Sequence, residues 1–483
     1  MIDLRPVVYV VGLLVATLGA AMILPFLVDI AEGNGHAIVF FESSVISLFI
    51  GSVLAMSTRN SIASGRLSLQ QTFLVAVSIW LVLPLFGALP FYFGATQSSA
   101  IDSVFEAMSG LTTTGSTVLS GLDELPKGVL LWRALLNWLG GIGIIVVAMV
   151  FLPELRVGGM QVFRAEAFDT LGKILPRAAS ISQQISVIYL ALTMVCALFY
   201  MLCGMDAFDA TSHAMTTVAT GGFANYDTSF GDFNAATHYV ASVFMIIAAI
   251  PFALYVQAVN GQTGNLLQDS QTRTFFGILV VLIGSLTLYM SWVVGGFSEQ
   301  VFRDVLFNVI SLVTGTGYGS ADYGLWGSGV VILLFWAGLI GGCAGSTSCS
   351  VKVFRYQILW AEVKKQIMLI RSPNAVFVPR FQGVRITEST TNSVLVFFFI
   401  FFASMVVLAA LLHMTGLDFI TSISGAATAL ANIGPGFGEV IGPSGNFAPL
   451  NDTAKVLLIL GMWLGRLELM AVFVLLTRRF WRG

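Results

Sequence analysis

Four short stretches of this chain carry the residues best suited to chemistry, and that chemistry is oxygen coordination of a cation. The most regular is Ser109-Gly110-Leu111-Thr112-Thr113-Thr114-Gly115-Ser116. Looser versions follow at Thr217-Val218-Ala219-Thr220-Gly221-Gly222-Phe223, at Val313-Thr314-Gly315-Thr316-Gly317-Tyr318, and at Ala431-Asn432-Ile433-Gly434-Pro435-Gly436-Phe437. A dehydrated alkali cation needs several oxygen ligands in place of its water, and rings of backbone carbonyls supply them in ion filters. Glycine permits the backbone angles that aim successive carbonyls at one axis. Threonine adds a hydroxyl and β-branched stiffness. Close helix packing is the other use of such small residues. Four turns of the same kind, each between two long apolar stretches, favour one ring made by one chain.

The elements that must position these turns are membrane helices. Of the 483 residues, 57% are hydrophobic and 10% charged, whereas soluble domains carry about 25% charged residues. The apolar residues come in runs near the ~20 that cross a hydrocarbon core. A first pair of spans, 6–28 and 37–57, has no glycine turn between its members and reads as an accessory hairpin over 1–68. Its first member is too long for a cleaved signal sequence. Four units of span, short helix, glycine turn and span follow, over 69–178, 179–270, 271–385 and 386–483. Their spans are expected at 71–93 and 129–152, 184–204 and 237–259, 275–295 and 328–348, and 391–414 and 454–477. The short helices are expected to open near Asp102, Asp206, Ser298 and Asp418, residue types that cap helix N-termini. Each would point its negative dipole end at the turn. The result is an all-α polytopic membrane protein: a pseudo-fourfold array of four span–pore helix–span repeats plus an N-terminal two-helix hairpin, with ten full spans and four half-spans.

Charge follows the same register. With the N-terminus inside, 18 of the 23 basic residues fall on the inner side, among them Arg59, Arg156, Arg164, Lys173, Lys352, Arg355, Lys364, Lys365 and Arg479. Lys127, Arg133, Arg303 and Lys455 fall outside. That asymmetry sets both termini in the cytoplasm. Acids gather on the outer side, from Asp102, Glu106, Asp209 and Asp227 to Asp418, Glu439 and Asp452. Together they would form a negative vestibule that concentrates cations. The cysteines Cys196, Cys203, Cys343 and Cys349 make no CxxC pair and read as small core residues.

Two features bear on gating. Gly341-Gly342-Cys343-Ala344-Gly345-Ser346-Thr347-Ser348-Cys349-Ser350 interrupts the second span of the third unit, as a helix end or as a loop below the filter. Arg466 lies inside the last span, where a charge is costly and marks function. Glu468, two residues on, does not share its helix face. Enzyme chemistry finds no support. Gly140-Gly141-Ile142-Gly143 lacks dinucleotide-loop spacing, no Walker-A run occurs, and no catalytic carboxylate pair or triad is placed. His213 reads as a packing or bonding residue of a short helix. Coupled carriers tend to place paired acids or broken helices near the midplane. Here the scarcity of acids at membrane depth favours a pore over a proton- or sodium-coupled symporter, which stays the alternative.

The chain resembles the Trk/Ktr/HKT superfamily of potassium transporters, most closely the membrane subunit of bacterial Trk potassium-uptake systems. The resemblance runs over nearly the full length through GLTTTGST at 110–117, GGIGIIV at 140–146, GGMQVFRAE at 158–166, MDAFDATSHA at 205–214, GGCAGST at 341–347, NIGPGFG at 432–438 and GRLE at 465–468. It implies a filter with one glycine per repeat, Gly115, Gly222, Gly317 and Gly434. The filter set is Thr113, Thr114, Gly115, Thr220, Gly221, Gly222, Gly315, Thr316, Gly317, Asn432, Ile433 and Gly434, with K+ at the carbonyls of Thr114, Gly221, Thr316 and Ile433. Glycine rather than serine at 115 implies preference for K+ as the transported ion, with no organic cofactor. It further implies a gate made of an intramembrane loop (Gly341, Gly342, Gly345, Ser346, Thr347) and Arg466. Where relatives often carry a glycine triplet, Ser348-Cys349-Ser350 stands here. Residence in the bacterial cytoplasmic membrane, a homodimer and a cytosolic nucleotide-binding TrkA-type regulatory subunit are also implied. The basic inner segment 352–385 would dock such a partner or anionic membrane lipid; nothing points to nucleic acid.

Overall fold

A computed structural model describes residues 2–62, 67–146, 178–374 and 376–482. The inner loop that carries Arg156, Arg164, Lys173, Arg177 and the 158–166 motif lies outside the described residues, as do Arg66 and the expected end of the 129–152 span. Within them the chain is helical apart from a small hairpin, Arg380–Phe381 against Val384–Arg385. Gln382 and Gly383, both at positive φ, form its tight turn.

The N-terminal hairpin pairs Arg5–Ala31 with Ala37–Thr58. Small residues decide its packing, as in membrane helix pairs generally. A Cβ at Gly51 would lie 2.4 Å from the Ala16 amide nitrogen, and Ser44 Oγ donates to the Gly19 carbonyl at 2.7 Å. Asp29 ties the hairpin to the first repeat by accepting from the Gly128 amide at 2.7 Å.

The four pore helices are Ala100–Leu111, Ala207–Val218, Glu299–Thr314 and Phe419–Ala431. At 12 to 16 residues and about 1.5 Å per residue, each is too short to cross the bilayer. Asp206, Ser298 and Asp418 cap them as expected, each side chain accepting from the amide three residues on. The first helix differs: its cap is Ser99, and Asp102 sits in the first turn, where Lys455 meets its carboxylate at 2.6 Å.

Among the described residues, seven helices have the length and apolarity to cross a membrane. They are the two of the hairpin, Leu69–Phe93, Lys127–Val146, Ser182–Leu202, Ser270–Val294 and Glu388–Met414. The second span is broken in three repeats, as expected in the third, and the expectation of unbroken spans is corrected in the second and fourth. In the second repeat Ala235–Ala248 and Phe252–Val259 meet at 88°, because Pro251 has no N–H and its ring opposes a continuing helix. In the third, Ser328–Gly338 ends at the glycine-rich segment and helix resumes at Val353–Arg371. In the fourth, Asp452–Arg466 and Met470–Leu475 are separated by Glu468 and Leu469, both at positive φ.

Candidate cation site and gate

Each pore helix ends in the same backbone motif. The amides of Thr114, Gly221, Thr316 and Ile433 donate back to Ser109, Thr216, Ser311 and Thr428 at 2.9, 2.9, 2.9 and 3.0 Å. The preceding amides, of Thr113, Thr220, Gly315 and Asn432, donate to the carbonyls three residues earlier at 3.0, 3.0, 3.1 and 3.4 Å. This is the Schellman arrangement, which needs a left-handed residue just past the helix. All four occupy it, with φ of 51°, 48°, 76° and 51°. Only the third repeat uses glycine there. Threonine and asparagine hold the same conformation elsewhere against the steric cost of a Cβ.

Two residues further on stand Gly115, Gly222, Gly317 and Gly434. The first three have φ of 86°, 73° and 85°. Gly434 is not among the positive-φ residues, because the following Pro435 restricts it to extended conformations. Their contacts close a ring. A Cβ at Gly115 would lie 2.5 Å from the Gly221 carbonyl oxygen, one at Gly222 1.9 Å from that of Thr316, one at Gly317 2.7 Å from the Gly434 nitrogen, and one at Gly434 3.1 Å from the Gly115 carbonyl. One-to-two, two-to-three, three-to-four and four-to-one contacts bring the expected set together around a common centre.

Side chains from other repeats brace the ring. Ser116 Oγ donates to the Gly434 carbonyl at 2.7 Å. Asn432 Nδ2 donates to Thr114 Oγ1 and to the Met462 carbonyl, both at 3.0 Å. Tyr318 OH meets Thr216 Oγ1 at 2.5 Å. Behind Gly221 sits the amide of Asn137, where a Cβ on Gly221 would come within 2.5 Å. Gly140 and Gly465 explain the glycines of the second spans: a Cβ on either would lie 1.9 or 2.2 Å from the carbonyl oxygen of Leu111 or Leu430, four residues before the ring glycine. These glycines serve packing.

Above the ring opens a cavity of about 530 Å³ whose lining includes all four ring glycines. Of the expected vestibule acids, Asp227 and Glu439 line it. The expectation of a broad acidic vestibule is corrected accordingly, since several carboxylates are otherwise engaged. Glu106 is buried, accepts from Arg133 Nε at 2.8 Å and from the Val118 amide at 3.0 Å, and so fixes the segment after the first turn. Arg133 is itself buried and contributes to the cavity lining above the ring. Asp209 accepts from Tyr226 OH at 2.5 Å; that bond to a carboxylate, with burial, pushes the Tyr226 pKa up. His213 both packs and bonds: it is enclosed by Tyr226, Phe230 and Phe233, its Nδ1 lies 2.8 Å from the Asp209 carbonyl, and its Nε2 accepts from the Asn225 amide at 3.3 Å.

Below the ring, the 341–350 segment is a loop that touches all four repeats. Ser348 Oγ donates to the Thr314 carbonyl at 2.5 Å. Thr113 Oγ1 lies 3.9 Å from Cys349 Sγ. The Cys343 amide donates to the Ala249 carbonyl at 3.0 Å, and Thr347 Oγ1 to that of Ala248 at 3.0 Å. Those two carbonyls are free because Pro251 ends their helix. From the fourth repeat Arg466 donates to Cys349 Sγ and, at 2.9 Å, to the Gly140 carbonyl. Gly341, Gly342, Gly345, Ser346 and Thr347 thus share one loop with the residue that Arg466 grips. Cys349 is a contact point rather than a core filler.

One cluster escaped the sequence reading. Glu468 is buried and pairs with Lys352 Nζ at 3.2 Å and with Arg355 Nη2; the Arg355 guanidinium lies 3.8 Å from the centre of the Phe397 ring. Lys352 and Arg355, counted with the inner-side basic residues, are buried. No local signal marked the cluster, because Glu468 lies more than a hundred residues from both partners.

With this geometry in view, the likeness to known proteins is specific. Residues 36–481 match the family profile described as TrkH, cation transport protein. The chain belongs to the TrkH family. Similar members include the Trk system potassium uptake protein TrkI of Halomonas elongata, 42% identical over 99% of this chain and 97% of the relative. The Trk system potassium uptake protein TrkH of Escherichia coli is 36% identical over 99% of both. The crystal structure of the potassium transporter TrkH from Vibrio parahaemolyticus superposes with a TM-score of 0.91, at 34% identity and over 100% of both chains. As a member of this cation-transport family the chain is an integral membrane transporter and not an enzyme.

Proposed function

We propose that this chain takes up potassium across the bacterial cytoplasmic membrane, through a gated, channel-like pore. The observation that carries the proposal is the closed ring of Gly115, Gly222, Gly317 and Gly434, reached from four pore helices by one repeated motif. In this reading the carbonyls of Thr114, Gly221, Thr316 and Ile433 replace the water of K+. The left-handed Thr113, Thr220, Gly315 and Asn432 aim them. The 341–350 loop closes the path below, and Arg466 adds a positive charge that repels cations until the loop moves. The names of the relatives, potassium uptake proteins, support the choice of ion. Glu468, at membrane depth, is held by two cations, which favours permeation over proton coupling. Both termini lie in the cytoplasm. We further propose a homodimer regulated by a cytosolic nucleotide-binding subunit of the TrkA type. The inner helix Val353–Arg371, with exposed Trp360 and Ile370, would dock that subunit or lipid.

The test is a potassium current across planar bilayers containing the purified protein, with and without a pH gradient. A pore gives currents that reverse at the potassium equilibrium potential in either condition. Dependence of the reversal potential on the pH gradient would replace this reading with a coupled carrier.

A further inference from the structure

The fourth repeat has an apolar groove that is no part of the ion path. Its cavity of about 490 Å³ is lined by Ile400, Ala403, Ser404, Val407, Leu408 and Leu411 of the span Glu388–Met414, and by Leu457, Leu460, Gly461 and Leu464 of the last long helix. Both sets repeat at three and four residues, so each is one face of a helix. Leu430 of the fourth pore helix also lines the groove, as does Phe473. Leu464 and Phe473 flank the break that carries Arg466 and Glu468. Gly461 lets the walls approach, since a Cβ there would lie 2.8 Å from Leu408 Cδ2 and 2.9 Å from Ala429 Cβ.

We propose that this groove holds one acyl chain of a bilayer phospholipid. The groove is continuous with lipid-facing surface: Phe399, Val406 and Met414 on the same span are 74%, 64% and 81% exposed. Its walls are aliphatic and aromatic apart from Ser404, so water has almost no polar partner in it. An empty groove would forfeit the dispersion contacts that a methylene chain supplies. The medium that surrounds a span at this depth is hydrocarbon. A chain seated there packs on Leu464 and Phe473 at once and thereby braces the two sides of the break. Through the break it steadies Arg466 in its contact with the 341–350 loop. This effect on flux rests on the gating role proposed above; the binding itself does not.

The experiment uses full-length protein in nanodiscs of phosphatidylethanolamine and phosphatidylglycerol doped with a phospholipid bearing a photoreactive diazirine in its acyl chain. Cross-links are mapped by peptide mass spectrometry. The groove residues Ser404 and Leu460 are expected to be labelled several-fold more than the exposed ridge residues Phe399 and Val406. Ala403→Trp, which fills the groove, is expected to abolish that excess while ridge labelling persists. Equal labelling of groove and ridge in the unaltered protein would overturn the proposal. So would cross-links from groove residues to a second copy of the chain, which would make this face a protomer interface. If labelling holds and Ala403→Trp leaves potassium flux unchanged, the acyl chain site stands and its effect on the gate is refuted.

Discussion

Replacing the ring glycines by alanine one at a time should damage ion discrimination in a fixed order, with Gly222 worst and Gly434 mildest. At Gly222 two costs combine. Its φ of 73° lies in the left-handed region, where a Cβ costs about 1–2 kcal/mol. That Cβ would also lie 1.9 Å from the Thr316 carbonyl oxygen, about 1.5 Å inside ordinary non-bonded contact. The carbonyl proposed as a ligand must therefore leave its place. Gly115, at φ 86° and 2.5 Å from the Gly221 oxygen, carries the same two costs in milder form. Gly317 follows, at φ 85° and 2.7 Å from a backbone nitrogen rather than a ligand oxygen. Gly434 has no left-handed strain, and its nearest neighbours are at 3.1 Å. A lost or displaced ligand worth about 1.4 kcal/mol of discrimination is a factor of about ten. Gly222→Ala and Gly115→Ala should thus each lose about tenfold or more of the preference for K+ over Na+, and Gly115→Ser should behave like Gly115→Ala. Gly434→Ala should lose distinctly less. The assay is the bi-ionic reversal potential in proteoliposomes with matched protein content. Gly434→Ala equal to or worse than Gly222→Ala would refute the ring as the discriminating element.

Further predictions concern the gate and the helix ends. Arg466→Ala removes the grip on Cys349 and on the Gly140 carbonyl and should raise potassium flux in liposomes; unchanged flux would remove Arg466 from the gate. Cys349→Ser keeps a polar acceptor for Arg466, whereas Cys349→Ala does not, so Ala should raise flux more than Ser in the same assay. Glu468→Ala leaves the buried Lys352 and Arg355 without their partner and should destabilise the protein by about 3–5 kcal/mol, read as a lower thermal midpoint in detergent. Asp418 caps the fourth pore helix, and its bonds to the Thr421 side chain and amide hold its pKa below the usual 3.8. Its contribution is therefore present at neutral pH and fades as pH falls below 3.8; Asp418→Ala should cost about 1 kcal/mol at pH 7, a difference that shrinks in acid.

The repeat architecture was legible because it is written in local signals: apolar run length, a capping residue, then a Thr-Gly turn. The four turns that meet in the ring were legible for the same reason, since each turn is specified by its own residues. The misses come from contacts between distant parts. The bend at Pro251 had a local signal, a proline inside the apolar run 235–259, that hydropathy alone passes over. The break after Arg466 had none, because Leu469 is an ordinary residue at φ 48°. What accompanies that break is the pairing of Glu468 with Lys352 and Arg355, more than a hundred residues away. The acids near the pore helices were read together as a vestibule, but some of them, such as Glu106, brace loops instead. Whether a carboxylate faces an ion or braces a loop depends on a partner such as Arg133, and composition does not reveal it.

Departures from fourfold symmetry below the ring have a direction. Gly140 and Gly465 occupy matching places against Leu111 and Leu430, so the residue after each also corresponds: Gly141 in the first repeat and Arg466 in the fourth. In the first repeat the space beside Gly141 is taken by Tyr189 and Ala219. In the fourth the same position projects a guanidinium under the ring. The second spans of the other repeats diverge at this level too, one bending at Pro251 to free two carbonyls and one dissolving into the loop that those carbonyls hold. Above this level the four turns share one hydrogen-bond pattern; below it each repeat contributes something different. A symmetric ring suits a ligand with no preferred side, such as a monatomic cation. A device that must open and close needs distinct parts that bear on one another, and the proposed gate draws its loop, carbonyls, guanidinium and ion pair from such departures. If that division holds, substitutions at Pro251, Cys349, Arg466 and Glu468 should change how often ions pass while leaving the K+ to Na+ preference intact. Reversal potentials that shift with any of these four would show that ring and gate are not separable.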